Sequence, residues 1–244
     1  MVTATEIREK ARESLKGKWG KGVLITIVYG LCIAILGSLG NLFKDGSIMS
    51  SILSLVATII EIPLAFGLII SYIKLKRDEE VGAADFAKDG FSNFKRAWGI
   101  VGNTLLKMIV PFILEVVAIM LIAIALVAGA ASVTGVISAG SFVVLLVLGV
   151  ILAIVASVYS TIKGLLYTQS YYIAYDNPDM TTKEAVEKSA ELMKGNRGNL
   201  FLLQLSFIGW AILSVCTFGI GFLWLGSYIQ VSNLCFYEEL KDKE

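Results

Sequence analysis

Four ionisable side chains stand inside long apolar runs of this 244-residue chain: Glu61, Lys107, Glu115 and Lys163. Carboxylates and amines in such surroundings can relay a proton, hold a charged ligand or neutralise one another. Taking about 1.5 Å of rise per helical residue, Glu61 lies roughly 22 Å from Lys76, Glu115 about 25 Å from Trp98 and Lys163 about 19 Å from Asp176. Lys107, about 14 Å along the same scale, is shallow enough to snorkel. An uncompensated charge at membrane depth costs at least about 2.5–3.5 kcal/mol. The spacing therefore predicts that Glu61, Glu115 and Lys163 face inward, with Lys163 bridging the two carboxylates. Pro63 and Pro111 stand beside the acids, and a proline displaces a backbone hydrogen bond and kinks a helix. As function this is a proton or ligand site beside kinked helices. As structure it is an ion-pair staple joining three spans.

Other chemistry is narrowed by what the chain lacks. Histidine is absent, which removes the commonest acid–base group and metal ligand, so no metal or cofactor is expected. The cysteines, Cys32, Cys216 and Cys235, lie in apolar runs without CxxC spacing and read as small packing residues. No Walker loop, GxSxG or dinucleotide fingerprint occurs, so an enzyme is the weakest reading. Gln204, Gln230 and Asn233 read as hydrogen-bonders between helices. Trp210, Trp224 and Tyr228 read as packing or interfacial anchors.

The elements that must position these residues follow from hydropathy. Hydrophobic residues make up 56% of the chain and the mean hydropathy is +0.76, which with long uncharged runs indicates a membrane protein. Six spans are expected, about 23–43, 49–75, 98–127, 141–175, 200–216 and 222–236. The turns between them are Lys44-Asp45-Gly46, the small residues from Gly129 to Gly140, and Thr217-Phe218-Gly219-Ile220-Gly221. Residues 76–96 form a charged loop with room for a short helix around 83–88. No signal peptide precedes the first span.

Residues 3–18 read as an amphipathic helix with Ile7, Ala11 and Leu15 on one face. Its Arg8, Arg12 and Lys16, with the interfacial Trp19, suit an anionic membrane surface, so membrane lipids are expected partners. Residues 181–199 repeat this segment. A shift of 178 superimposes Thr3 on Thr181, Glu6 on Glu184, Glu9 on Glu187, Lys10 on Lys188, Glu13 on Glu191, Lys16 on Lys194, Gly17 on Gly195 and Gly20 on Gly198. Thr181 and Glu184 have capping-box spacing, and Gly195 suits a helix end. Lysine and arginine crowd the N-terminus, the loop after span two, the loop after span four and the tail, against Lys44 alone in the alternate loops. By the positive-inside rule both termini are cytoplasmic. The expected fold is all-α in a single membrane domain: three hairpins over quasi-repeats 3–75, 80–175 and 181–240, each preceded by a cytoplasmic interfacial helix or loop.

Several motifs then group the chain. They are Leu15-Lys16-Gly17-Lys18-Trp19, Pro63 with Gly67, the phenylalanines around Gly90-Phe91, Asp176-Asn177-Pro178, Met193-Lys194-Gly195, Leu205-Ser206-Phe207-Ile208-Gly209-Trp210, Gly219-Ile220-Gly221 and Phe236-Tyr237. With these the chain resembles the bacterial integral membrane proteins catalogued as domain of unknown function nine-seven-five. Lys163 matches a lysine of that family, whereas Glu61 and Glu115 match no motif of it. Tyr159-Ser160 stands where the family carries Pro-Gly, and Ser227 where it carries proline. The family is distantly similar to the membrane domain of some glycerophosphodiester phosphodiesterases, which implies a lipid connection and brings no activity.

The expected function is binding or translocation of a small or lipidic ligand in the cytoplasmic membrane. The competing expectation is an accessory or protective membrane protein that engages a peptide or protein through its cytoplasmic helices. Nothing points to nucleic acid.

Overall fold

The computed structural model describes residues 3–43, 47–133 and 139–243. The Lys44-Asp45-Gly46 turn and the centre of the Gly129–Gly140 reversal lie outside the described residues. Every regular element among the described residues is helical: α1 (Ala4–Leu15), α2 (Trp19–Ser38) with a 3-10 turn (Leu39–Leu42), α3 (Ile48–Lys76), α4 (Asp85–Ser92), α5 (Phe94–Lys107), α6 (Ile109–Val133), α7 (Ala139–Gly164), α8 (Ser170–Asp176), α9 (Thr182–Leu192), α10 (Arg197–Leu205), α11 (Ile208–Cys216) and α12 (Gly221–Lys241). Five runs are long and apolar enough to cross a membrane: Trp19–Leu42, Ile48–Lys76, Ile109–Ala130, Phe142–Gly164 and Arg197–Cys216. The expected sixth, in α12, has the length but not the hydropathy. Ser227, Gln230, Ser232 and Asn233 dilute it, and Leu225 to Leu240 lie mostly against protein.

Three expected spans are interrupted, each for a local reason. The third does not run on from Trp98, because the helix breaks at Met108, between α5 and α6. Pro111 lies in the first turn of α6, where its missing N–H costs nothing, and its ring excludes a helical carbonyl four residues back, at Lys107. The expected Pro111 kink is thus a break between two helices. The fourth run ends at Gly164. Leu166 and Tyr167 turn back onto the carbonyls of Lys163 and Gly164 at 3.1 and 3.0 Å, and the Leu166 carbonyl accepts the buried Ser189 hydroxyl at 2.7 Å. The fifth breaks at Ser206-Phe207, where the Ser206 hydroxyl donates to the Leu203 carbonyl at 2.6 Å and competes with the backbone ladder.

Burial divides the molecule into two zones. One holds the packed core, including Ile7, Leu15, Tyr72, Ile173, Val186 and Phe236. It is built from the short helices α1, α4, α8 and α9 and the C-terminal halves of α3 and α12. In the other, large apolar side chains of α2, α3, α6, α7 and α11 face outward, among them Leu31, Ile52, Val127, Ile154 and Val215. An outward apolar surface of that extent suits hydrocarbon and not water. There α6 and α7 pair closely through buried Ala118, Ala125 and Ala156, and Gly149 seats against Ile122. Small residues let membrane helices approach.

The short helices show how the packed zone is assembled. Thr3 and Glu6 form a capping box on α1, and Thr181 and Glu184 form the same box on α9. Gly17 and Gly195 both adopt φ near +80°, the left-handed geometry that ends a helix. The next helix begins two residues later in both cases, at Trp19 and at Arg197. Ile7, Ala11 and Leu15 are buried, as are Ala185, Ser189 and Met193 at the same spacing. The expected amphipathic helix is therefore α1, seated by its apolar stripe against α12 and α10. The helix in the charged loop, α4, begins and ends slightly later than expected. It meets α3 backbone to backbone, where Gly67 faces Phe86 and Gly90 faces Pro63.

Candidate functional site

The structure does not bring the four intramembrane charges together. Lys107 is the last residue of α5, ahead of the third span, and pairs with Glu187 of α9 at 3.0 Å. Lys163 is one residue from the end of α7, with its ammonium 5.8 Å from the centre of the Tyr159 ring. Glu115 lies in α6 and accepts a long contact from the Ser160 hydroxyl at 3.5 Å. Glu61 is half-buried in α3, two residues before the covered part of that helix begins, and within electrostatic reach of Tyr29. Among the described residues no ion pair joins Lys163 to Glu61 or Glu115, so the expected bridge is not formed. The depths assumed unbroken helices from Trp98 and Asp176. The breaks at Met108 and at 165–169 leave both lysines at helix ends, where a cation suits the dipole and the stem can snorkel.

Pro63 lies within a continuous α3. It deprives the Ile59 carbonyl, four residues back, of its usual donor. The indole N–H of Trp98 donates to that carbonyl at 3.3 Å. Trp98→Phe keeps apolar bulk and removes this donor, and is expected to cost about 1 kcal/mol. A thermal melt in detergent checks it, and an unchanged midpoint would show that the carbonyl needs no partner.

Polar groups inside the bundle are largely consumed structurally. The Tyr72 hydroxyl donates to the Gly22 carbonyl at 3.0 Å and meets the Ser227 and Thr26 hydroxyls at 2.9 and 2.6 Å. The Gln204 amide donates to Asn233 at 2.8 Å, bonding neighbouring helices as expected. Two positions that depart from the expected family pattern, Ser160 and Ser227, each hold one of these polar contacts.

At the packed end, Asp176 pins three helix ends. It closes α8 and its side chain is 5% exposed. It accepts from Arg77 at the end of α3 and from Lys241 at the end of α12, both at 2.8 Å, and from the Tyr237 hydroxyl at 3.2 Å. Burial alone would raise its pKa, but the Lys241 and Arg77 hydrogen bonds outweigh that and hold it below the usual value. Arg96 donates to the carbonyls of Asn177, Pro178 and Met180. The Asp-Asn-Pro motif is thus a structural knot. A groove of about 700 Å³ beside it is lined by Asp176, Asp179, Glu184, Glu187 and Glu191. Asp176 is paired, Glu184 caps α9 and Glu187 holds Lys107.

A different place has the form of a binding site. Where α1 and α2 meet α11 and α12, a cleft of about 620 Å³ is lined by Arg12, Trp19, Trp210, Trp224, Tyr228 and smaller residues. Trp210 and Trp224 face it from either side of the Thr217–Gly221 reversal. That reversal is tight because Gly221 lies against Ser214, where any Cβ would fall within 3 Å of its atoms. Tyr228 forms the cleft's inner wall. It packs edge-on to Phe207 at 5.2 Å and tilted to Trp19 at 6.2 Å, and donates to the Arg8 carbonyl at 3.1 Å. Arg12 is exposed and has no ion pair among the described residues. From the sequence Trp210, Trp224 and Tyr228 read only as packing or interfacial anchors, and nothing in their spacing marks a cleft. Its other half comes from the opposite end of the chain and carries no local signal.

Among the described residues no group of three histidine, cysteine, aspartate or glutamate side chains could hold a metal ion. No curated protein and no solved structure matches the chain, so the likeness to glycerophosphodiester phosphodiesterase membrane domains remains an expectation. A family model does match, over residues 1–244. The chain belongs to the family described as "Protein of unknown function (DUF975)".

Proposed function

We propose that this protein resides in the cytoplasmic membrane with both chain ends inside, and binds a lipidic ligand in the aromatic cleft between α1–α2 and α11–α12. The observation that carries the reading is the cleft itself. Three tryptophans and a tyrosine surround it, and a cation with no counter-charge among the described residues stands at its rim. Large aromatic side chains supply apolar area with little loss of rotamer freedom, and concave apolar sites with a few polar groups are the usual form of small-ligand pockets. The first two hairpins cross the membrane, and the third supplies one wall of the cleft. The three-hairpin plan is supported by the matching caps and left-handed glycines of α1 and α9.

Removing both facing indoles in Trp210→Ala with Trp224→Ala is expected to lower phospholipid retention about tenfold or more. Native mass spectrometry of the detergent-purified protein measures it. Equal retention by wild type and variant would sink the reading. The competing reading, an accessory protein acting through its cytoplasmic helices, predicts instead a partner captured by wild type and lost when the exposed side chains of residues 181–194 are replaced.

A further inference from the structure

Three features of the cleft specify what enters it. The first is its polarity. Among the described residues no acidic side chain lines it, and the indole N–H groups of Trp19, Trp210 and Trp224 have no protein acceptor. The cleft therefore offers donors, and Arg12 is the charged one. Two other cations of the segment are occupied, Lys10 by Glu239 and Lys18 by Asp78. Arg8, one turn before Arg12, lies close enough to interact electrostatically with the same Tyr228. An arginine fork matches phosphate geometry better than any other side chain.

The second feature is depth. Asp176 joins the ends of α3 and α12 through Arg77 and Lys241, so both helices start from one level. From there α3 reaches back 28 residues to Ile48 and α12 only 20 residues to Gly221. At about 1.5 Å per residue, the third hairpin ends roughly 12 Å short of the first. The third feature is its tip. No charged residue occurs between Arg197 and Glu238, and Phe218 at the reversal is 100% exposed with φ 53°. A bare phenylalanine on an uncharged apolar tip suits surrounding hydrocarbon. The cleft walls then lie in the half of the bilayer next to the chain ends, with Arg12 at headgroup level.

We infer that the cleft holds one anionic phospholipid drawn from the leaflet nearest the chain ends, with its phosphate on Arg12 and an acyl chain between Trp210 and Trp224. This rests on the lipid-binding reading above and adds the charge class and leaflet of the ligand. Arg12 confers the preference, and the indoles hold the chain.

The test uses the full chain, purified in detergent and titrated with phosphatidylglycerol and phosphatidylcholine of identical acyl chains, with bound lipid counted by native mass spectrometry. Wild type is expected to favour phosphatidylglycerol about tenfold. Arg12→Gln should bring it to the phosphatidylcholine level, while Lys16→Gln, one turn on and also exposed, keeps the preference. Among the described residues Arg12 has no ion pair or side-chain hydrogen bond to lose, and a melt of each variant confirms folding. Equal binding of the two lipids by wild type overturns the inference and leaves the lipid-binding reading standing. So does an equal loss in Arg12→Gln and Lys16→Gln. Retention of neither lipid by wild type overturns the lipid-binding reading itself. For the leaflet, the thiol of Phe218→Cys should resist an impermeant thiol reagent applied from outside, while that of Ser47→Cys reacts. Both are placed in a background with the three native cysteines replaced by serine. Labelling of both at equal rates overturns the placement.

Discussion

Replacing Gly67 with alanine is expected to separate α4 from α3 and cost about 3–5 kcal/mol of stability, beyond the usual 1–3 kcal/mol of an overpacked core. An alanine Cβ there would fall 1.8 Å from the Phe86 carbonyl oxygen and 2.7 Å from the Gly90 nitrogen. Both obstacles are backbone, so no side chain can swing aside. The helices must part, and Phe86 then leaves the place where it is 2% exposed and meets the Tyr29 ring edge-on at 5.4 Å. Exposing such a ring costs about 1.5–3 kcal/mol, on top of the lost close packing. Gly90→Ala should behave alike, its Cβ falling 2.3 Å from the Pro63 carbonyl oxygen. Gly20→Ala is the control, since a Cβ there meets nothing within 4 Å. Melting in detergent decides the matter, together with trypsin cleavage at Lys88. Equal midpoints for Gly67→Ala and Gly20→Ala would mean that α3 and α4 do not touch as described.

That contact shows what sequence does and does not carry. The caps of α1 and α9 and the glycines behind them were legible, because each depends on residues within four positions. So were the long apolar runs. Which part of a run faces lipid and which faces protein was not legible: residues 48–59 and 64–75 of α3 have similar composition, yet the second stretch is buried. The break at 165–169 depends on Ser189, more than twenty residues away, taking the Leu166 carbonyl. The break at Met108 follows from Pro111 once the displaced carbonyl is counted back to Lys107. The depths reckoned for Glu115 and Lys163 assumed helices unbroken from Trp98 and Asp176, and among the described residues no ion pair joins Lys163 to Glu61 or Glu115. Trp19 and Tyr228 stand over two hundred positions apart, and only the seating of α1 on α12 brings them to one cleft.

Asp176→Asn is expected to cost about 2–3 kcal/mol near neutral pH. The substitution keeps shape and one acceptor but leaves Arg77 and Lys241 without their counter-charge. Breaking a buried pair commonly costs about 3–5 kcal/mol. The lower figure applies because Arg77 and Lys241 are 34% and 51% exposed and can recover water. The pH dependence then separates charge from shape. With its folded-state pKa held below the ordinary 3.8, Asp176 stabilises the fold above that value. The contribution fades as pH falls from about 4 through the folded-state pKa, because protonation of the native carboxylate dismantles the pairs. Other carboxylates, such as Glu239 on Lys10, are also depressed by their hydrogen bonds, so the wild type alone gives no clean assignment. The difference between wild type and Asp176→Asn does. That gap should be widest from pH 5 to 7 and close progressively below pH 4, as the wild-type side chain becomes as neutral as asparagine. A gap of constant size down to pH 3 would mean that Asp176 holds the three helix ends by hydrogen-bond geometry alone. The common level from which the depths of α3 and α12 are reckoned depends on this knot. Its loss should therefore also let the third hairpin shift and weaken lipid retention at the cleft.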